Sequence, residues 1–188
     1  MTNGEELEKI SNEISICKKC ALCKSATQAV PGSGNPNADI VFIGEAPGFY
    51  EDQQGVPFVG RSGKLLDFLL SQIKLSREDV WIGNIIKHRP PDNRDPSPDE
   101  ISTCKTFLRR QLKIINPNII ITLGRFSMNY FLPNATISMA HGKPHKVEGF
   151  ILYPIYHPAA GLRNPTMKRH IIEDFLKIPD IIERKNII

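Results

Sequence analysis

The sequence has no apolar run long enough to span a membrane, and the segment from Met1 to Ile14 is polar and acidic, unlike a signal peptide. We therefore expect a cytoplasmic protein. The fingerprints of nucleotide binding are also missing. No GxxxxGK followed by Ser or Thr occurs, and Gly32-Ser33-Gly34 precedes the first predicted strand instead of following it. Nothing in the sequence therefore indicates a bound nucleotide.

Cysteine is scarce, with four among 188 residues, but three of the four are crowded together. Cys17, Cys20 and Cys23 lie in one short segment, while Cys104 is remote. Thiols stay reduced in the cytosol, so a crowded set favours a metal centre over disulfides. The CxxC spacing of Cys17 and Cys20 occurs in zinc, iron–sulfur and redox sites, although no strand precedes it as redox sites require. Cys104 alone is explained as a small buried residue on an apolar helix face.

The charge is also modest, with a net value of +4, and 23% charged and 40% hydrophobic residues are typical of a globular protein. A mildly basic chain permits a nucleic-acid partner without requiring one.

No repeat or linker divides the sequence, so we expect a single domain over residues 1–188. We also expect a monomer. Basic residues gather in three predicted loops, which would suit a phosphate backbone or simply a solvated surface. They are Lys18, Lys19 and Lys24; Arg89 and Arg94; Arg163, Lys168 and Arg169.

Four short apolar runs, rich in β-branched residues, alternate with segments of helical periodicity. This alternation predicts a three-layer α/β/α fold with a central four-stranded, mainly parallel sheet. The predicted strands are Ile40–Ile43, Val80–Ile86, Asn118–Leu123 and Phe150–Tyr156. The predicted helices are Glu5–Ile14, one starting at Lys64, one that Ser97 caps and that runs to Ile115, Gly124–Leu132 and Thr166–Ile182.

The stretch from Asp39 to Leu70 is central to this organisation, because it predicts a buried strand, a long loop and then an amphipathic helix. The loop opens with GEAPG, whose Gly and Pro residues interrupt regular structure. Ligands of open α/β sheets bind at the carboxyl ends of the strands. Asn84 and His157 lie at or near two other strand ends, so both would share one crevice with this loop. Each has an ordinary structural explanation when taken singly, and their joint placement is what indicates a site.

Three motifs occur in order along the chain: GEAPG with EDQQGVPFVGRSGKLLD, then GNIIKHRPPDNRDPSPDE, then HPAAGLRNP. Together they resemble the family 4 uracil-DNA glycosylases, the iron–sulfur type, and the similarity extends from Cys17 through the last helix. The resemblance implies a monofunctional enzyme that flips uracil out of single- or double-stranded DNA, hydrolyses its N-glycosidic bond and leaves an abasic site. The resemblance does not decide whether the protein contacts a sliding clamp.

The resemblance also implies roles for the residues of the crevice. The GEAPG loop would hold the uracil and the attacking water, Phe58 would stack on the flipped base, and Asn84 would read the edge that distinguishes uracil from cytosine. Glu51 lies where the family places a side chain near uracil C5, which helps to exclude thymine. His157 would contact uracil O2. The implied loop residues are Gly44, Glu45, Ala46 and Gly48.

The chemistry of the reaction agrees with these roles. Uracil is a fair anionic leaving group, so a neutral His157 that donates to O2 can stabilise the developing charge without a strong general acid. Related glycosylases carry an Asp where this chain has Ala46, and we therefore expect Glu45 to position the water. An extruded base needs a wedge in the gap, and the resemblance assigns Leu162 to it. The expected cationic DNA contacts are Arg89, Arg163, Lys168 and Arg169.

The family resemblance further implies a 4Fe–4S cluster. The family usually has Cys in the position after NxxK, and this chain has His88 there. The expected ligands are Cys17, Cys20, His88 and Cys104, since imidazole can replace thiolate on iron. The rival is Cys23 as the fourth ligand with His88 free. The cluster would be structural and would hold the N-terminal loop, the proline-rich loop and the Cys104 helix together.

Other functions are compatible with the same motifs. One is an iron–sulfur protein that binds DNA or uracil with little turnover, and another is an enzyme of this fold that acts mainly on another deaminated base, such as hypoxanthine. A related branch traps uracil covalently through a histidine in an extra basic loop. The segment after His88 is short, proline-rich and free of histidine, which favours turnover. No lysine is obviously placed for Schiff-base chemistry, so we do not expect strand cleavage.

Overall fold

The computed structural model of the protein describes residues 1–147 and 149–185. Within them the chain forms one six-stranded sheet with helices on both faces. The strands are β1 (Ser33–Gly34), β2 (Ile40–Gly44), β3 (Trp81–Asn84), β4 (Ile119–Leu123), β5 (His145–Val147) and β6 (Phe150–Ile155). The helices are α1 (Asn3–Ser15), α2 (Phe49–Gln54), α3 (Arg61–Gln72), α4 (Pro98–Ile115), α5 (Arg125–Phe131), α6 (Ile137–Ala140), α7 (Pro158–Arg163), α8 (Pro165–Leu176) and α9 (Ile178–Lys185).

The strand order is β1-β3-β2-β4-β6-β5, and the four central strands are mutually parallel. They correspond to the four strands that the sequence predicts, so the predicted α/β class and mainly parallel sheet are confirmed. The two additional strands pair antiparallel at the edges. Both are too short to carry a periodic apolar pattern, which is why the prediction of a four-stranded sheet missed them.

The central strands are buried on both faces because alternate side chains enter different apolar layers. Phe42 of β2 packs with helices α3 and α8 on one face, where its ring stacks on that of Phe175 at 5.6 Å. Its neighbours Val41 and Ile43 pack with α1 and α4 on the other face. Because the four central strands are parallel, their carboxyl ends lie at one edge of the sheet.

Local structure departs from the expectations at three places. The loop after β2 contains the short helix α2, and the HPAAGLR motif forms α7. The predicted final helix is divided into α8 and α9 at Lys177. Pro179 follows closely, and a proline has no N–H for the helical ladder, so it can stand only in the first turn of a new helix. No helix in the described part of the chain combines the length and the apolar character needed to cross a membrane.

Helix α4 begins as the sequence predicts, with a reciprocal capping box. The Glu100 N–H donates to Ser97 Oγ at 3.2 Å, and the Ser97 N–H donates to the Glu100 carboxylate at 2.8 Å. The same carboxylate accepts two hydrogen bonds from Arg94, at 2.9 and 2.6 Å. The cap therefore fixes both the helix start and the end of the proline-rich loop that precedes it.

We expect Ser97→Ala to lower the free energy of unfolding by about 1 kcal/mol, because it removes the side-chain acceptor of the cap. Urea unfolding followed by circular dichroism measures the change. Ser102→Ala is the matched control, since Ser102 is exposed in the second turn of the same helix. Equal stability of the two variants would show that the capping box does not contribute.

Candidate active site

A cavity of about 380 Å³ opens at the carboxyl edge of the sheet. Its wall is built from the loop after β2, the start of α3, the end of β3, the proline-rich loop and the start of α7. It is therefore a pocket of the size that holds one small ligand. The lining residues are Glu45, Ala46, Pro47, Gly48, Glu51, Phe58, Ser62, Asn84, Pro90, Asn93, Arg94, His157, Ala159 and Arg163.

Gly44, the last residue of β2, does not itself line the cavity but lies against two residues that do. The parallel register pairs it with Asn84 of β3. A Cβ atom on Gly44 would lie only 2.4 Å from Asn84 Oδ1 and 2.7 Å from Phe58 Cζ. Any side chain at this position would therefore displace the amide or the ring. Glycine is required here because two functional groups approach the same backbone atom.

Phe58 is held in an unusual backbone conformation. Its φ is +54°, in the left-handed region that a bulky residue seldom adopts. The Arg77 guanidinium donates to the carbonyl oxygens of Pro57, at 2.9 Å, and Phe58. A Cβ on Gly63 of α3 would lie 1.7 Å from the Phe58 carbonyl oxygen, so the helix packs directly on this backbone. The ring, 5% exposed, then faces the His157 ring with centroids 5.7 Å apart.

Asn84 has an incomplete set of hydrogen bonds. Its side chain is 2% exposed, and its Oδ1 has no partner among the described residues. The backbone is fixed from below, where the buried Lys87 amine donates to the carbonyl oxygens of Asn84 at 3.0 Å and Pro31 at 3.2 Å. A buried acceptor without a donor costs roughly 1–3 kcal/mol, so the cavity offers this oxygen to a ligand that carries an N–H or O–H group.

His157 caps the start of α7 with one ring nitrogen, and its other ring nitrogen has no hydrogen-bond partner among the described residues. The Ala159 N–H donates to His157 Nδ1 at 3.1 Å, which assigns the proton of the neutral ring to Nε2. Burial lowers the pKa of His157 to about 4, although the Glu51 charge opposes this shift. The ring is therefore neutral at pH 7 and presents an N–H donor. Gly124, with φ +92°, permits this position, because a Cβ on Gly124 would lie only 3.0 Å from His157 Cβ.

The two glutamates of the loop have different surroundings. Glu51 Oε1 accepts from the N–H groups of Val59 and Gly60, each at 2.9 Å, so its carboxylate holds the segment that follows Phe58. Glu45 is half-buried, and burial raises its pKa to about 7. The Asp95 charge raises this pKa further and the Arg125 charge lowers it, while Asp95 and Arg125 form an ion pair at 2.6 Å.

The predicted DNA contacts are distributed around the cavity rather than gathered in it. Arg163 lines it, and Leu162, the neighbouring residue of α7, is 37% exposed. Arg89 donates to Asn93 Oδ1 at 2.7 Å, and Asn93 lines the cavity. Two further cations, Lys168 and Arg169, are exposed on α8, outside the cavity wall. Helix α7 packs closely on α8, since a Cβ on Gly161 would lie 3.2 Å from Lys168 Cα.

None of the four cysteines forms a disulfide in the described part of the chain, and Cys17, Cys20 and Cys23 lie within one short segment. Burial raises the pKa of Cys104, and the charges of Cys20 and Cys17 add to this effect, while Lys87 opposes it. Cys17 and Cys20 also pack against the apolar layer that contains Cys104. His88 is 7% exposed, and burial lowers its pKa, which leaves a neutral imidazole at pH 7.

No group of three His, Cys, Asp or Glu side chains in the described residues is arranged to hold a single metal ion. An iron–sulfur cluster places iron and sulfide between its ligands, so its ligands stand further apart than those of one ion. Cys17 and Cys20 pack against the layer that contains Cys104, and His88 adds an imidazole, so these residues supply the donor types of such a cluster.

Asp52 has a structural role near the site that the sequence-based assignment of roles did not include. Its carboxylate is 2% exposed and accepts from the Thr27 N–H at 2.9 and 3.1 Å. It therefore joins helix α2, which carries Glu51, to the segment that follows the cysteines. In the sequence Asp52 is one of several loop acids, and only a contact across 25 residues distinguishes it. Asp52 does not line the cavity, and the residues that do so without having received a role are Pro47, Ser62, Pro90, Asn93, Arg94 and Ala159.

Comparison with known proteins identifies the class of this fold and site. The sequence model of the Uracil DNA glycosylase superfamily matches residues 31–176, and the chain belongs to that superfamily. It is 47% identical to a type-4 uracil-DNA glycosylase of Archaeoglobus fulgidus, over 96% of each chain. It is 46% identical to the type-4 enzyme of Sulfurisphaera tokodaii, over 94% of this chain and 85% of the relative. A type-5 uracil-DNA glycosylase of Pyrobaculum aerophilum is more distant, at 28% identity over 69% of this chain. Within the superfamily the chain is therefore a type-4 member, as its three motifs indicate.

We expect His157 to remain neutral down to about pH 5, because its pKa lies at about 4. A titration followed by nitrogen-15 NMR of the imidazole ring measures both the pKa and the Nε2–H tautomer. Glu51→Gln should lower the pKa further, since the Glu51 charge raises it. A His157 that titrates near its ordinary value of about 6.5 would contradict the buried donor described above.

Proposed function

We propose that this protein removes uracil from DNA by hydrolysing the N-glycosidic bond and leaves an abasic site. The observation that carries the proposal is the buried, unpartnered Oδ1 of Asn84, in the same cavity as the Phe58 ring and the His157 imidazole. These three groups supply an acceptor, a stacking face and a donor. A flipped pyrimidine with an N–H between two carbonyl groups complements all three.

The amide of Asn84 selects the base. Its Oδ1 accepts from uracil N3–H, and its NH₂ group donates to uracil O4. Cytosine has an acceptor at N3 and a donor at C4, so it would place like groups against each other and leave buried partners unpaired. Glu51 lies beside Gly48 with its carboxylate anchored by the Val59 and Gly60 amides, and this rigid wall leaves no room for a methyl group at C5.

Cleavage of the bond between uracil N1 and C1′ leaves the bonding electrons on the base. The negative charge spreads to O2, where the Nε2–H of neutral His157 donates a hydrogen bond. Such a preorganised donor contributes about 3–4 kcal/mol in a site that excludes water. The base leaves as an anion and takes up a proton afterwards, while C1′ of the sugar carries the positive charge until water attacks.

The attacking water needs an acceptor for its proton, and Glu45 supplies the nearest carboxylate of the loop. Its pKa of about 7 leaves about half of the molecules ionised at neutral pH. The ionised form accepts a hydrogen bond from the water, orients the oxygen lone pair towards C1′ and takes the proton as the C–O bond forms. The products are the free base and an abasic sugar with a C1′ hydroxyl.

The surface around the cavity supports base extrusion. Leu162 is the exposed apolar side chain of α7 and fills the gap that the flipped nucleotide leaves in the stack. Arg89, Arg163, Lys168 and Arg169 contact the phosphate backbone, and their charges supply affinity without reading the sequence. Lys87 does not attack the sugar, because its amine donates to two backbone carbonyls and does not line the cavity.

The proposal includes a 4Fe–4S cluster held by Cys17, Cys20, Cys104 and His88. The cluster, when bound, supplies a covalent cross-link among three segments of the chain and takes no part in hydrolysis. Two hydrogen-bonded side chains connect the cross-linked segments to the active site. Asp52 holds the segment after Cys23 against α2, and Lys87, next to His88, holds the Asn84 backbone.

The proposal is tested with an oligonucleotide that carries a single uracil, cleaved at abasic sites by alkali and resolved on a denaturing gel. Uracil release with a cut at the uracil position supports the proposal. Tight binding without release would indicate a DNA- or uracil-binding protein, and faster release of hypoxanthine would change the main substrate. A DNA–protein adduct that survives denaturation would indicate covalent trapping.

In the same assay, Asn84→Asp should weaken uracil release by about 100-fold or more and permit slow release of cytosine, because the NH₂ donor to O4 is lost. Gln53→Glu is the matched control, since it converts an exposed amide of α2 to a carboxylate outside the cavity wall. Asn84→Asp with wild-type preference for uracil would remove Asn84 from base recognition.

The single-turnover rate of uracil release should rise about tenfold per pH unit below pH 7 and become constant above it, because only ionised Glu45 accepts from the water. Asp95→Asn should move the midpoint to lower pH, since the Asp95 charge raises the Glu45 pKa, and Arg125→Ala should move it to higher pH. Glu45→Gln should give a slower rate without this midpoint. Retention of the midpoint in Glu45→Gln would assign it to another group.

Replacement of the cluster ligands is expected to change the iron content of protein purified without air. A chain with a full cluster contains about four iron atoms and is brown. The His88→Ala variant should lose most of this iron and the colour, while the Cys23→Ala variant should keep both. The reverse result would make Cys23 the fourth ligand and leave His88 free. Iron and sulfide are measured chemically, so the result does not depend on activity.

A further inference from the structure

An exposed aromatic patch lies beside the cavity, and the reaction described above does not use its two rings. Phe49 and Tyr50, in the first turn of α2, are 51% and 56% exposed. Their rings meet edge to face, with centroids 5.4 Å apart. The guanidinium of Arg89 lies 5.2 Å from the Phe49 centroid. We call these three residues the aromatic rim.

The aromatic rim is anchored next to the cavity from two sides. Arg89 Nε donates to Asn93 Oδ1 at 2.7 Å, and Asn93 is part of the cavity wall. A Cβ on Gly60 would lie 3.3 Å from Tyr50 Cδ2, so the Tyr50 ring rests on the backbone that Glu51 holds. The residues that flank the two aromatics, Gly48 and Glu51, also line the cavity. A nucleotide adjacent to the flipped base would therefore pass over the rim.

The chemistry of the rim matches unpaired nucleotides. Two exposed rings contribute little to folding, and exposed apolar area of this kind next to a site indicates a contact surface. Bases stack on aromatic faces whatever their sequence, and an arginine beside the rings can neutralise a phosphate. The two acids that follow the rings do not oppose this, because the Glu51 carboxylate accepts from backbone amides and the Asp52 carboxylate is buried on Thr27.

We propose that the aromatic rim stacks the unpaired base next to the flipped uracil, which makes single-stranded uracil-containing DNA the preferred substrate. The inference rests on the function proposed above. In a duplex the neighbouring base stays paired and stacked on its own strand, so it can reach the rim only after a second disruption. In a single strand its face is free, and the rim binds it without that cost.

The test compares KM and kcat for single-stranded and duplex oligonucleotides of one sequence with the variant in which Phe49→Ala and Tyr50→Ala are combined. We expect KM on the single strand to rise by about 5-fold to about 100-fold, with kcat unchanged and a clearly smaller effect on the duplex. Phe68→Ala is the matched control, because Phe68 is 50% exposed on α3 and does not line the cavity. This control should retain wild-type KM on both substrates.

A direct readout places 2-aminopurine next to a 2′-fluoro-deoxyuridine that resists cleavage. Stacking on the rim should quench its fluorescence with the wild-type protein and with Phe68→Ala, but not with the double variant. Absent quenching, an equal loss on single and double strands, or no loss in the double variant would overturn the inference. If the wild type released uracil from neither substrate, the proposed function would fail, and the quenching would still decide whether the rim stacks a base.

Discussion

The parallel pairing of β2 with β3 is the constraint on which the rest of the site depends. It places Gly44 opposite Asn84, and the backbone ladder continues beyond the strands through hydrogen bonds from Ile85 N–H to the Gly44 oxygen at 3.0 Å and from Ile86 N–H to the Glu45 oxygen at 3.2 Å. The loop that carries Glu45 is therefore bonded to the segment that carries Asn84. A slip of one residue would turn Asn84 to the other face of the sheet and close the cavity.

Burial gives the site its electrostatic character. It lowers the pKa of His157 to about 4 and of Lys87 to about 8, and it raises that of Glu45 to about 7. In each case burial shifts the equilibrium towards the neutral form, although Lys87, which lies outside the cavity wall, still carries its proton at pH 7. A neutral donor and a carboxylate that ionises near neutral pH suit a reaction in which charge appears only in the transition state.

Several features of the site reduce stability and are held by contacts outside it. The unpartnered Asn84 Oδ1 and the left-handed backbone of Phe58 both raise the energy of the folded state. Arg77 and the close packing of Gly63 maintain Phe58, and the Lys87 amine maintains Asn84. The stability of the surrounding core thus maintains a pocket in which a ligand can supply the missing hydrogen bond to Asn84 Oδ1.

The apolar runs and the capping box by themselves determined the four central strands, helix α4 and the class of the fold, because burial and capping act through nearby residues. The three motifs likewise indicated the family and several residues of the cavity, among them Phe58, Asn84 and His157. Only the tertiary structure decided the edge strands, the anchoring of Glu51 on Val59 and Gly60, and the link from Asp52 to Thr27. It also decided which ring nitrogen of the neutral His157 carries the proton, because the Ala159 N–H donates to Nδ1. These depend on burial and on partners distant in sequence, which no local pattern encodes.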